Sequence, residues 1–202
     1  MPSLVIHIAV GKKIADILQI NDKKTFLEGC VLPDYELKNF HFKHTTAEGF
    51  PNVDVEKFIS SQKENSLLFV GKLTHMLTDY FFNDQIVGAI IRTGLPYSAC
   101  HKILVEDFTN LNSFLTRVYN INTDKFIDYF TDYESLDKKH LSSVKQYLVE
   151  PSSKPFFLTE EVVINFIENN YVLIVESLLN KMEQHKISIS ENEIKNTSNL
   201  SK

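Results

Sequence analysis

The 202-residue chain has no tryptophan, two cysteines, six glycines and six prolines. Two cysteines, Cys30 and Cys100, exclude a disulfide-stapled scaffold and a four-cysteine zinc ribbon. Scarce glycine and proline leave long stretches without a helix breaker. No window holds about 18 uninterrupted apolar residues, so no membrane span is expected. The apolar start has no basic residue ahead of it and carries His7 inside it, unlike a secretory signal. Free thiols without a signal point to the cytoplasm. Positive charge is also short, with 21 Lys and Arg against 26 Asp and Glu and a net charge of −5. A basic face for long nucleic acid is therefore not expected.

What the chain has is helical periodicity. It is 43% hydrophobic and 23% charged, an ordinary composition for a globular core. A chain this long buries about two-thirds of its unfolded surface. Leu4, Ile8, Gly11, Ile14, Ala15 and Leu18 recur at three- and four-residue steps, which predicts an amphipathic helix over 3–18 with Ser3 as its cap. Residues 26–32 read as a short helix or turn stopped by Pro33. Residues 35–52 lack periodicity and read as a long loop with no β-hairpin signal. Further helices are expected over 55–64, 66–83, 98–119, 123–131, 135–149 and 159–186. The prediction is an all-α, single multi-helix bundle of about seven helices spanning 1–186. The polar residues 187–202 read as a disordered tail.

Histidine is the less ordinary component. There are seven, and His7, His41, His44, His75 and His101 all fall in the first half. His75 and Asp79 stand at i, i+4 in a helical pattern, so both side chains leave one helix face and can hold one metal ion. With 26 carboxylates in 202 residues, seven histidines give about one such pair by chance. His44 and Glu48 form a second. The spacing alone therefore decides nothing. Context adds weight: His75 and Asp79 lie among Leu73, Met76, Leu77, Tyr80 and Phe81, and a buried histidine–carboxylate pair needs partners. His7 sits between Ile6 and Ile8. Asp34 follows the sharp stop at Pro33, and His41 and His44 follow in the loop. Imidazole and carboxylate are the ligand set of zinc or a similar divalent ion.

The segments HIAVGKKI, FLEGCVLPD, NFHF and GKLTHMLTDYFFND resemble, in order and spacing, the zinc-dependent phospholipase C family, which shares its fold with the S1/P1 nucleases. The resemblance covers roughly residues 3–107. It implies an all-α hydrolase whose helices converge on one to three zinc ions. Asp34, His41, His75 and Asp79 match the best-defined zinc site of that family, and Asp34 also matches its proposed general base. His7 matches a ligand of a further zinc that Asp79 would bridge. The implied reaction is hydrolysis of a small phosphoester or phospholipid headgroup.

Two departures stand out. Where the family has a histidine shortly after the helix motif, this chain has Asn83, Asp84 and Gln85. Where it has a His-x-x-x-Glu pair, His101 is followed at that spacing by Val105, with Glu106 one residue beyond. An i, i+5 pair diverges by about 140° on a regular helix, so His101 and Glu106 can share a metal only across an irregular turn. A catalytically impaired helical binding or scaffold protein of the same fold is the alternative. An HD-type phosphohydrolase is disfavoured because no histidine is followed by Asp. His44 reads as a loop histidine, His140 and His185 as solvated, and Cys30 and Cys100 as packing residues.

Overall fold

The computed structural model describes residues 2–35, 42–122, 154–190 and 193. It is mostly helical, as the periodicity predicts. Helix α1 spans Leu4–Ile17, α2 Lys23–Gly29, α3 Val55–Gln62, α4 Leu67–Phe82, α5 Tyr97–Val118 and α6 Glu160–Gln184. Six helices of seven residues or more are thus present among the described residues, against about seven expected. The helices predicted over 123–131 and 135–149 lie outside the described residues.

The helix starts follow from local hydrogen bonding. Asp22, Asp54, Ser66 and Thr159 each accept a backbone N–H from three residues on, at Thr25, Lys57, Phe69 and Val162. Each cap satisfies a donor that the first turn leaves orphaned. Ser3 holds the cap position of α1, but its side chain makes no capping bond.

The long loop expected over 35–52 is corrected in part. Lys43–Thr45 and Pro51–Val53 pair antiparallel, with Lys43 opposite Val53 and Thr45 opposite Pro51. Three-residue strands are too short to show a period-two pattern. Gly49 sits at φ +83° and closes the connection, a conformation glycine adopts without steric cost. Beyond α4 the chain does not stop at Asn83. It passes through a π turn, Asn83–Val87, and resumes as helix over Gly88–Arg92.

Helix α4 is the centre of the molecule and packs against α1, α2, α3 and α6. It is buried almost all round, including Thr74, His75, Thr78 and Asp79. Thr74 and Thr78 satisfy their hydroxyls by donating to the carbonyls of Val70 and Thr74, at 2.9 and 2.8 Å. The crossing of α2 and α4 is set by two glycines. A Cβ on Gly29 would lie 2.2 Å from the Leu68 carbonyl oxygen, and one on Gly71 would lie 2.2 Å from that of Phe26. Here backbone packs directly on backbone, and no side chain fits between.

Helix α6 is long and apolar enough to cross a membrane by length and composition, which the expectation of no span did not foresee. Polar residues interrupt its sequence, so no unbroken apolar run shows. In the fold its Phe166, Ile167, Ile174 and Leu178 are buried, and α6 packs against α1 and α4. The packed body continues beyond the expected boundary at residue 186, against the expected disordered tail: Ile189 packs against the core and the Asn21 amide donates to the Glu193 carbonyl at 3.1 Å. Ile187 is buried, and the Ser188 amide donates to the Asn65 side-chain oxygen at 3.2 Å. A buried Asp107 takes the amides of Phe156, Phe157 and Leu158 at 2.6–2.9 Å and fixes the approach to α6. Phe156 itself is 73% exposed.

Gly71→Ala is expected to destabilise the fold by about 2–4 kcal/mol, because the new methyl group meets immovable backbone. Gly49→Ala, where nothing lies within 4 Å, carries only the left-handed backbone cost of about 1 kcal/mol. Denaturant unfolding of both variants reads the contrast, and equal losses would contradict the crossing argument.

Candidate metal centre

Three elements deliver four side chains to one point. His7 projects from the buried half of α1. Asp34 ends a 3₁₀ turn, Leu32–Asp34, that Pro33 initiates. His75 and Asp79 project one turn apart from α4. The Gly29–Gly71 crossing places the end of α2 against α4, so that the Cys30 carbonyl oxygen lies 2.8 Å from His75 Nδ1.

The two imidazole rings are stacked, with centroids 3.8 Å apart and planes 11° from parallel. Each carboxylate faces both rings. Asp79 Oδ1 is 3.4 Å from His7 Nε2, and Asp79 Oδ2 is 3.6 Å from His75 Nε2. Asp34 Oδ2 is 4.0 Å from His7 Nε2, and Asp34 Oδ1 is 3.7 Å from His75 Nε2. These separations exceed ordinary hydrogen-bond lengths. They approach the spacing of neighbouring ligand atoms around a tetrahedral ion, about 3.3 Å for bonds of about 2.05 Å. His7, Asp34 and His75 each offer a ligand atom within 4.8 Å of the others. The side chains of His7, His75 and Asp79 are fully buried, whereas that of Asp34 keeps 14% exposure. Neither ring nitrogen of His7 makes a hydrogen bond among the described residues.

The carbonyl of Cys30 can only accept, so His75 Nδ1 carries the proton and donates it. The neutral ring then presents the Nε2 lone pair to the cluster, as a metal-ligating histidine requires. Burial, with the neighbouring His7 imidazole as the next cause, lowers the His75 pKa from 6.5 to about 3. The ring is therefore neutral near pH 7 and available as a ligand. Two neutral imidazoles facing two carboxylates suit a divalent cation. The cluster could hold a metal ion, and its residue types restrict the choice to ions that accept nitrogen and oxygen donors.

Of the residues singled out by sequence, His7, Asp34, His75 and Asp79 converge. They do so as one cluster, with His7 stacked on His75. His41 lies outside the described residues, as does His140. His101 and Glu106 do not join the cluster. Both are exposed on α5, which runs as regular α-helix over Tyr97–Val118 without the irregular turn their spacing needs. The irregular turn lies instead at Asn83–Val87, where Gln85 donates to Asn170 at 2.6 Å. Asn83 is buried there, and Asp84 is exposed. His44 is exposed in the hairpin. His185, expected on a solvated face, is half-buried and 2.9 Å from Glu56. Cys30 and Cys100 are buried free thiols; burial pushes both upward in pKa.

Sequence reasoning missed the Cys30 carbonyl, because a backbone acceptor leaves no residue-type signal. Its indirect mark was the pair of glycines, Gly29 and Gly71, that bring α2 onto α4. No protein-family model, curated protein or solved structure matches the chain.

Titration of metal-free protein with zinc is expected to show one tight site per chain, a raised unfolding temperature, and at least a 100-fold loss of affinity in His75→Ala. Unchanged affinity in that variant would remove His75 from the site. A second expectation concerns pH. Between 6.5 and about 3 the unfolded chain binds a proton at His75 that the folded chain refuses, so stability falls as pH falls through that window. Metal-free protein should unfold about 5 °C lower at pH 5 than at pH 7. His75→Phe should narrow that gap, and thermal scans at both values test it.

Proposed function

We propose that this chain is a zinc-dependent phosphoester hydrolase of the kind its resemblance to the phospholipase C family implies, acting on a small phosphodiester in the cytoplasm. The observation that carries the reading is the convergence of His7, Asp34, His75 and Asp79, from three separate elements, on one buried point. A surface ion pair needs no such convergence. Free buried thiols at Cys30 and Cys100 agree with a reducing compartment.

Each residue has a distinct part. His7 and His75 would hold the ion. The Cys30 carbonyl keeps His75 in the tautomer that leaves Nε2 unprotonated. Asp79, fully buried, contributes negative charge that compensates the cation in a low-dielectric setting. Asp34 is the one member with an exposed edge. It can therefore face an incoming water and accept its proton, which is the role of a general base. When bound, a divalent ion supplies Lewis acidity toward a phosphate oxygen and acidifies a coordinated water.

The alternative reading keeps the metal and loses turnover. It is favoured by the placement of His101 and Glu106, which leaves the cluster without the later-helix pair that the resemblance implies. Assay on bis(p-nitrophenyl) phosphate separates the two. The hydrolase reading expects zinc-dependent turnover that falls at least about 10³-fold in Asp34→Asn and vanishes with chelator. Stoichiometric zinc with no turnover on any phosphoester supports the binding or scaffold reading instead.

A further inference from the structure

His7 and His75 both turn Nε2 toward the carboxylates of the cluster, but only His75 is held from behind. The Cys30 carbonyl oxygen lies 2.8 Å from His75 Nδ1. His7 Nδ1 is buried and makes no hydrogen bond among the described residues. A ring that binds a metal through Nε2 carries its proton on Nδ1, and that N–H needs an acceptor. Left unpaired in the interior, such a donor is costly, and the ring it belongs to is free to turn.

A second buried polar atom without a partner stands one turn back along α1. At the cap positions of α2, α3, α4 and α6, Asp22, Asp54, Ser66 and Thr159 each take a backbone amide on the side chain. Ser3 holds the same position on α1 with the same extended backbone as Ser66 and Thr159, yet takes none. Its Oγ is buried and has no hydrogen-bond partner among the described residues. The Ser3 carbonyl accepts the amides of Ile6 and His7 at 3.0 and 3.2 Å. Those bonds put Ser3 and His7 in helical register, and they leave that carbonyl already occupied. Residues four apart share a helix face, and a helical side chain leans over the turn N-terminal to it. The His7 ring therefore lies over the turn that Ser3 begins. A donor and a hydroxyl, both buried and both unpaired, share one face.

We propose that Ser3 is a positioning residue of the metal centre. Its hydroxyl, turned about χ1, accepts a hydrogen bond from His7 Nδ1–H and so holds the Nε2 lone pair toward the ion. Ser3 does for His7 what the Cys30 carbonyl does for His75. This is also the reason its side chain stays away from the first-turn amides that a serine at this position ordinarily caps. The inference rests on the reading of His7 as a metal ligand, and it holds with or without hydrolysis.

The test measures zinc affinity by chelator competition on the full chain and on Ser3→Ala, Ser3→Thr and His7→Ala. Ser3→Ala is expected to weaken zinc binding about tenfold, and Ser3→Thr, which keeps the hydroxyl, to restore most of it. The zinc-free unfolding temperature of Ser3→Ala should stay within about 2 °C of the parent chain, because no capping bond is lost. Long-range proton–nitrogen NMR of the zinc-loaded chain gives a readout that a merely structural role would not move. The His7 Nδ1–H signal should shift and exchange with water at least about tenfold faster in Ser3→Ala, while the His75 signal stays in place. An unchanged His7 signal in Ser3→Ala overturns the proposal, whatever happens to affinity. So does a loss of affinity that Ser3→Thr shares in full. If His7→Ala still loses zinc in either case, the metal reading of His7 survives and the role of Ser3 alone is rejected. If His7→Ala keeps zinc as tightly as the parent, both are rejected.

Discussion

Gly29 and Gly71 meet where α2 crosses α4, and the remainder of the centre depends on how closely these two backbones approach. A methyl group at either position would overlap a carbonyl oxygen of the other helix. That approach carries Cys30 to hydrogen-bonding distance of His75, two residues before the turn that starts at Leu32 and ends at Asp34. One steric constraint thus sets both the tautomer of His75 and the position of Asp34. Helix α1 then needs only its ordinary apolar packing to bring His7 over His75.

The cluster is also an electrostatic problem that the apolar core alone does not resolve. Two imidazoles and two carboxylates share a site in which three of the four side chains are fully buried. Burial holds His75 neutral, so it does not balance the carboxylates by taking a proton near pH 7. Isolated buried charge costs several kcal/mol. A divalent cation at this point would add positive charge at spacings the side chains already approach. Asp34 alone of the four keeps an edge toward solvent. A polar site at the heart of an apolar helix also accounts for the two threonines of α4, which turn their hydroxyls onto the helix's own carbonyls.

Much of this was legible in the chain. The three- and four-residue apolar steps place α1, α4, α5 and α6 within a few residues, because burial of one helical face imposes that period. The caps at Asp54, Ser66 and Thr159 mark helix starts for a local reason, since each bonds an amide only three residues away. The pair His75 and Asp79 was visible as a helix spacing, but that spacing had no statistical weight by itself. The hairpin at Lys43–Val53 was not legible, because strands of three residues carry no period. The π turn at Asn83–Val87 was not legible either, because one extra residue in a helix leaves composition unchanged.

Sequence by itself determined that the chain is helical and that His7, His75 and Asp79 fall on buried helix faces; the helix expected to run to Pro33 ends instead at Gly29, and Pro33 lies within the turn that carries Asp34. These are consequences of interactions within a few residues. Tertiary structure alone decided that His7 stacks on His75 in a single cluster and that His101 and Glu106 stay apart from it. Each depends on the angle and distance at which distant helices cross. Those are fixed by backbone contact at Gly29 and Gly71 and by side-chain packing across the core, which no local period encodes.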